Sequence, residues 1–126
     1  MKVFNCYCCS GKLYHNCCEP ILLGIKVPVT AEELMRSRYS AFATQRAQYL
    51  VATTHYYTQN NHLEADILEW SEANKWLKLE VLKATKTKVE FKAHYQDACK
   101  VKHIHHEFST FKEENGKWFY VEGQFF

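Results

Sequence analysis

The chain has 126 residues, which suffices for one compact domain and a small additional module. Hydrophobic residues make up 47% of the chain, which excludes a disordered protein and predicts a packed core. The net charge of +2 is too small to indicate nucleic-acid binding by itself, and the lack of a long apolar run excludes a membrane-spanning helix.

Four of the six cysteines lie close together near the N-terminus: Cys6, Cys8, Cys17 and Cys18. The first residues lack the apolar region of a secretory signal, so we expect a cytoplasmic protein whose cysteines stay reduced. Four thiolates at this spacing suit a tetrahedral Zn²⁺, and Ser10-Gly11 predicts the turn that returns the chain. Because four cysteine ligands leave no open position, the predicted zinc site is structural. Disulfides and a redox switch are the alternatives.

The sequence divides into three predicted parts. Residues 1–19 form the zinc-binding module, residues 20–29 form a linker, and residues 30–126 form the main domain. Pro20 and Pro28 bracket the linker and favour extended or turn geometry there, so we expect the linker to lie on the main domain.

The first helix of the main domain is predicted from Thr30 to about Thr44. Thr30-Ala31-Glu32-Glu33 is a capping box, in which the Thr30 hydroxyl accepts from the Glu33 amide and the Glu33 carboxylate reaches back. The helical spacing places five apolar residues on one face: Leu34, Met35, Tyr39, Ala41 and Phe42. A second helix is expected from Arg46 to about Thr54.

A third helix is expected from His62 to about Asn74, since Leu63, Ile67 and Trp70 have helical spacing. After Asn74 the hydrophobic period changes to two, which predicts strands. Inward-facing positions of the first strand are expected at Leu77, Leu79 and Val81. Three more strands are expected over residues 88–95, 101–112 and 118–123. Three helices followed by a four-stranded meander predict an α+β fold, with the helices on one face of a curved antiparallel sheet.

Residues 6–18, with the sequence CYCCSGKLYHNCC, resemble the SEC-C motif, usually C-x-C-G-S-G-K-x-Y-x-x-C-C. The motif is similar to the zinc tail of the bacterial preprotein-translocase ATPase, where it docks partner proteins, so the resemblance implies a protein partner. Cys9 stands where the motif has glycine, which can take a positive φ, so Cys9 is expected to strain or alter the turn. Lys12 and Tyr14 are expected to be exposed near the site, and His15 is expected not to be a ligand.

The remainder of the chain resembles the YchJ family of small bacterial proteins. Its LMRSRYxAF pattern is matched by residues 34–42, its YL…TxH pattern by residues 49–55, its ExSxF pattern by residues 107–111 and its GxW[YF]Yx[DE]G pattern by residues 116–123. The resemblance implies a nuclear transport factor 2-like (cystatin-like) cone, in which a bent sheet wraps around helices. It implies no particular activity.

Arg38 lies in the middle of the apolar stripe of the first helix, and a buried guanidinium needs a partner or a ligand. On the third predicted strand, Glu107 and Ser109 share a face with the core residue Phe111. We therefore predict an ion pair between Arg38 and Glu107 beneath the first helix. Tyr120 is expected to add a hydrogen bond.

Two interpretations of this polar cluster remain open. In the first, which we favour, Arg38 and Glu107 form a structural ion pair that fixes helix to sheet. In the second, they line a cavity together with Tyr120 and with His55 near its mouth, and the cavity binds a small molecule, as in enzymes on this fold.

The sequence best fits a zinc-binding adaptor that uses its cysteine module to dock a protein. The alternative is a small-molecule-binding protein or enzyme that uses the interior of the cone; no catalytic set is identified, which favours a non-enzymatic role. His105 and His106 are expected on opposite faces of their strand, so they do not form a second metal site. The lysine-rich segment 83–106 is interpreted as a solvated strand face, with weak nucleic-acid binding as a further alternative.

Overall fold

A four-stranded antiparallel sheet, with the strands in chain order, is the largest element of this computed structural model, which describes residues 4–59 and 63–126. The strands are β1 (Lys75–Ala84), β2 (Lys88–Gln96), β3 (Lys102–Glu114) and β4 (Lys117–Phe125). Within the described residues, the helices are α1 (Cys18–Leu22), α2 (Ala31–Ala43), α3 (Ala47–Ala52) and α4 (Glu64–Ala73), with a short 3₁₀ helix at Tyr14–Asn16. The predicted α+β fold is confirmed.

The sheet buries one face against helix α2, which contacts β1, β2 and β4. Side chains alternate between the two faces of each strand, so every second residue enters the core. The inward residues of β2 are Val89, Phe91 and Ala93, and those of β3 are Glu107, Ser109 and Phe111. Irregular pairing at three points, two in β1 and one at Thr110/Phe111, bends the strands around the helices.

The inward face predicted for β1 is wrong at one residue. Leu79 is buried as expected, but Leu77 is exposed and Trp76 packs against the core instead. The reason is the irregularity between Trp76 and Lys78, which shifts the alternation by one residue.

The two longer helices begin close to their predicted positions. Thr30 is the N-cap of α2, and its hydroxyl accepts a hydrogen bond of 3.0 Å from the Glu33 amide. The Glu33 carboxylate accepts from the Val29 amide at 3.1 Å, so it does reach back. The third predicted helix corresponds to α4, while its predicted first residue, His62, lies outside the described residues. No helix in the described ranges has both the length and the hydrophobicity needed to cross a membrane.

The linker differs from its predicted extended or turn geometry, because Pro20 lies within helix α1. Proline is tolerated in the first turn of a helix, where an amide has no intrahelical acceptor. The helix buries Ile21 and Leu22, whereas the linker after it exposes four apolar side chains: Leu23, Ile25, Val27 and Val29.

Replacing Thr30 with alanine should lower the free energy of unfolding by about 1 kcal/mol, because the Glu33 amide would lose its acceptor. Thr30→Ser keeps the hydroxyl and is the matched control. Urea denaturation of both variants measures the difference. Equal stability of the two variants would contradict the capping role.

Candidate metal centre and interior cavity

The cysteine module is a small hairpin that turns at Ser10-Gly11. Its two arms are joined by hydrogen bonds from the Cys6 amide to the Lys12 carbonyl (2.8 Å) and from the Tyr14 amide to the Phe4 carbonyl (2.9 Å). Gly11 has a φ of 87°, a conformation that glycine adopts without steric cost. The return of the chain brings the second pair of cysteines back to the first.

The four predicted cysteines form one cluster: Cys6, Cys8, Cys17 and Cys18. All four Sγ atoms lie within 4.8 Å of one another. The separations from Cys8 to Cys17 and from Cys17 to Cys18 are 3.7 and 3.9 Å. A tetrahedral ion with metal–sulfur bonds of about 2.3 Å needs sulfur–sulfur separations of about 3.8 Å. The donor set and its spacing therefore fit one metal ion.

The close packing of the sulfur atoms changes how readily each thiol ionises. Hydrogen bonds from the Cys18 and Cys8 thiols lower the pKa of Cys6 below its usual range. Hydrogen bonds with Cys6 and Cys8, together with burial, raise the pKa of Cys18. Crowding therefore favours ionisation of one thiol and opposes that of its neighbour. Four thiolates at these distances repel one another unless a cation lies between them.

Cys9, which stands where the motif has glycine, has a positive φ. Its φ of 62° is one that glycine adopts without steric cost, so the expected strain falls on a residue with a Cβ. The Cys9 thiol lies outside the four-sulfur cluster, and its sulfur is 3.5 Å from the Leu79 amide of β1. The chain therefore turns at Cys9, and the Cys9 side chain contacts the sheet.

Helix α2 holds the cysteine module against the main domain. The Ser40 hydroxyl lies 3.6 Å from the Cys6 sulfur, and Arg36 donates to the Cys8 carbonyl at 2.7 Å. Arg36 is itself held by Glu32 at 2.9 Å. The cluster is thus fixed to a helix as well as to its own loop.

The predicted exposure of residues around the cysteine cluster is only partly correct. Lys12 is exposed, and His15 is exposed and outside the cluster. Tyr14, however, is buried, because its ring stacks on Phe4 at 5.2 Å and meets Tyr7 edge to face. Phe4 and Tyr7 are the half-exposed aromatic residues of the module.

The second candidate site is a cavity of about 240 Å³ between α2, α4 and the sheet. Its wall is mostly aromatic, with Trp70 and Trp76 on one side and Phe91 on the sheet. Three of the five residues predicted for the polar cluster line it: Arg38, Glu107 and Tyr120.

The predicted ion pair between Arg38 and Glu107 is wrong, because Tyr120 lies between the two. The Tyr120 ring faces the Arg38 guanidinium at 4.6 Å, and its hydroxyl donates to Glu107 at 2.9 Å. Arg38 uses its Nη1 for the end of helix α3, donating to the Leu50 carbonyl at 2.9 Å and to the Thr53 hydroxyl at 2.7 Å. Capping helix carbonyls is a common role for a guanidinium.

Glu107 is held by three side-chain donors. Ser109 and Tyr120 donate to its Oε2, and His105 lies 2.7 Å from its Oε1. Burial raises the pKa of Glu107, but these hydrogen bonds outweigh burial and lower the pKa below the usual value. The carboxylate also lies over Gly123, where an added Cβ would overlap it. The side chain therefore stays ionised in a fixed position.

His55 does not lie at the cavity. It is buried at the other end of β4, where its Nδ1 accepts from the Tyr57 amide at 3.3 Å and its Nε2 lies 2.8 Å from Glu114. The histidine that does line the cavity is His105. The sequence contained this signal, because the alternation that turns Glu107 inward also turns His105 inward. His106 pairs with Glu90 instead, on the opposite face as expected.

Gly123→Ala should destabilise the protein by about 1–3 kcal/mol, because the new Cβ would displace the Glu107 carboxylate. Without that overlap the substitution would stabilise the strand slightly. Gln124→Ala, an exposed change one residue along β4, is the control. Urea unfolding compares the two, and equal stability would show that Glu107 is not confined there.

The whole chain has close relatives among bacterial proteins. A UPF0225 protein of Geobacter sulfurreducens is 36% identical over 125 residues, which are 94% of this chain and 77% of the relative. A UPF0225 protein of Haemophilus influenzae is 39% identical, with 94% of this chain and 76% of the relative covered.

Solved structures agree with this relationship. The solution structure of a SEC-C motif containing protein from Rhodopseudomonas palustris matches with a TM-score of 0.87 and 34% identity, covering 96% of this chain and 98% of that one. The crystal structure of a SEC-C motif containing protein from Psychrobacter arcticus matches with a TM-score of 0.75 and 33% identity, covering 90% and 72%. The family described as YchJ, middle NTF2-like domain, matches residues 30–123. The chain therefore belongs to the YchJ family.

Proposed function

We propose that this protein is a zinc-binding adaptor, in which the cysteine module of residues 1–19 docks a protein partner and the domain of residues 30–126 is the scaffold. The observation that carries the proposal is the cluster of four Sγ atoms within 4.8 Å. We place its action in the cytoplasm, where thiols remain reduced and available to a metal.

Zinc is the ion that best suits these ligands. Cys6, Cys8, Cys17 and Cys18 offer four soft sulfur donors with near-tetrahedral spacing, and all but Cys17 are buried. Zinc prefers such closed sulfur sites and needs no further ligand in them. A closed site performs no chemistry on a substrate, so its contribution is to fix the shape of the surrounding surface.

A groove of about 330 Å³ beside the cluster supports the docking role. It runs between the module and the start of α2. Two of the residues that line it are the exposed lysines Lys12 and Lys26. The acidic residues of the groove are already engaged, Glu32 by Arg36 and Glu33 by the Val29 amide. Neither lysine forms an ion pair with a described residue, so both are available to carboxylates of a partner at the rim of the groove.

Native mass spectrometry of the purified protein should find one zinc ion per chain, and Cys17→Ser should lose it. Zinc in thousandfold excess over its dissociation constant stabilises a fold by about 4 kcal/mol, so chelation should lower the stability of the parent by about that amount. Cys99→Ser changes an exposed cysteine outside the cluster and should keep both metal and stability. A metal-free parent of unchanged stability would end this proposal.

Docking is tested by crosslinking and pull-down with the full chain as bait. The variant Lys12→Glu/Lys26→Glu reverses the charge of both groove lysines, and Lys83→Glu/Lys102→Glu makes the same change at two exposed strand residues outside the groove. A true partner should be recovered by the parent and by the sheet variant, and at least tenfold less by the groove variant. Equal recovery by both variants would contradict docking at the groove.

The cavity supports a second candidate function, which we propose separately: binding of a small molecule inside the main domain. The observation in its favour is that a charged residue, Arg38, lines an aromatic space of about 240 Å³ that the core leaves unfilled. Protein interiors contain few voids larger than a water molecule, so a space of this size has a stability cost that a ligand would offset.

A further inference from the structure

Arg38 has donors in the cavity that no described residue uses. All of its hydrogen bonds to described residues start from Nη1. Its Nε and Nη2 carry the remaining N–H groups of the guanidinium. Arg38 is only partly buried and lines the cavity, so we expect these N–H groups to be reachable from the cavity.

Among the described residues, none forms a direct ion pair with Arg38. The Tyr120 ring separates it from Glu107, and Glu107 is already bonded to Ser109, Tyr120 and His105. Burial lowers the pKa of Arg38 to about 10, which still leaves the guanidinium protonated at neutral pH. An anionic acceptor would form stronger hydrogen bonds with the remaining N–H groups of Arg38 than a neutral acceptor would.

The rest of the cavity suits one aromatic ring. Trp70, Trp76 and Phe91 line the space, and the two tryptophan rings meet edge to face at 5.1 Å. An apolar cavity of about 150 Å³ holds benzene, and this one, at about 240 Å³, leaves room for a short polar substituent. Trp70 and Phe125 are partly exposed and form an opening to solvent.

We propose that the cavity binds a small aromatic carboxylate, with the ring between Trp70, Trp76 and Phe91 and the carboxylate on the Nε–Nη2 edge of Arg38. That edge carries parallel N–H groups, which match the two oxygens of a carboxylate. The inference rests on the second candidate function, since it names the ligand class of the same cavity.

The test is a fluorine NMR titration of the full chain with 4-fluorobenzoate and with 4-fluorobenzyl alcohol. The two probes have the same ring and differ in the charge of the substituent. The parent should bind the acid with a dissociation constant of about 1 mM or tighter. The alcohol should bind at least tenfold more weakly.

Arg38→Met should reduce affinity for the acid at least tenfold and leave affinity for the alcohol nearly unchanged. Lys92→Met removes one positive charge from the outer face of β2 and is the matched control, which should bind both probes as the parent does. Ala93→Leu fills part of the cavity and should weaken both probes. If Arg38→Met does not fold, the comparison of acid and alcohol on the parent and on Ala93→Leu still decides the question.

The possible failures are distinct. Equal affinity for acid and alcohol on the parent overturns the carboxylate class but leaves a cavity that binds small molecules. Binding of both probes that Ala93→Leu does not weaken places the site elsewhere and overturns the inference. No binding of either probe by the folded parent, at about ten times the expected dissociation constant, overturns the inference and the second candidate function together.

Discussion

Helix α2 is packed on two sides, and both candidate sites depend on this constraint. On one side, Ser40 and Arg36 contact the cysteine module. On the other, Met35 and Arg38 line the cavity against the sheet. Small or precisely bonded residues are needed on the module side, because the loop approaches the helix to hydrogen-bond distance. An amphipathic surface helix would leave one of these sides in solvent, and then neither site would have its present support.

The polar interior avoids the direct ion pair that the sequence suggested. Two charges in direct contact would each lose hydration, and their mutual attraction would be the only compensation. The resulting stability is often no greater than that of an apolar pair of similar volume. Here each charge is bonded mainly to neutral groups. Arg38 binds the end of α3, Glu107 binds two hydroxyls, and Tyr120 contacts both. This arrangement leaves one edge of the guanidinium without a hydrogen-bond partner among the described residues, and a direct ion pair with Glu107 would have occupied that edge.

Features set by local spacing were predictable from the sequence, and features set by packing were not. The helix cap at Thr30 depends on four consecutive residues, and the inward position of Glu107 depends on strand alternation, so both were correct. Leu77 was misassigned because an irregularity in pairing belongs to two strands at once. The position of His55 was predicted wrongly, because no local sequence pattern indicates which end of the sheet a loop residue contacts. The partner of Arg38 was not predictable, because it depends on the position of the Tyr120 ring between helix α2 and strand β3.

The cysteine module and the cavity share one residue, which joins their energetics. The Tyr39 ring lines the cavity and meets Trp76 edge to face at 5.9 Å. Tyr39 also belongs to the same buried cluster as Cys6, Cys8 and Cys18, and burial raises the pKa of its hydroxyl. A metal that fixes the Cys8-Cys9 loop would therefore also fix one wall of the cavity. Because such coupling between two binding events is reciprocal, a ligand that orders Tyr39 from the cavity side would favour the metal-bound loop by the same free energy.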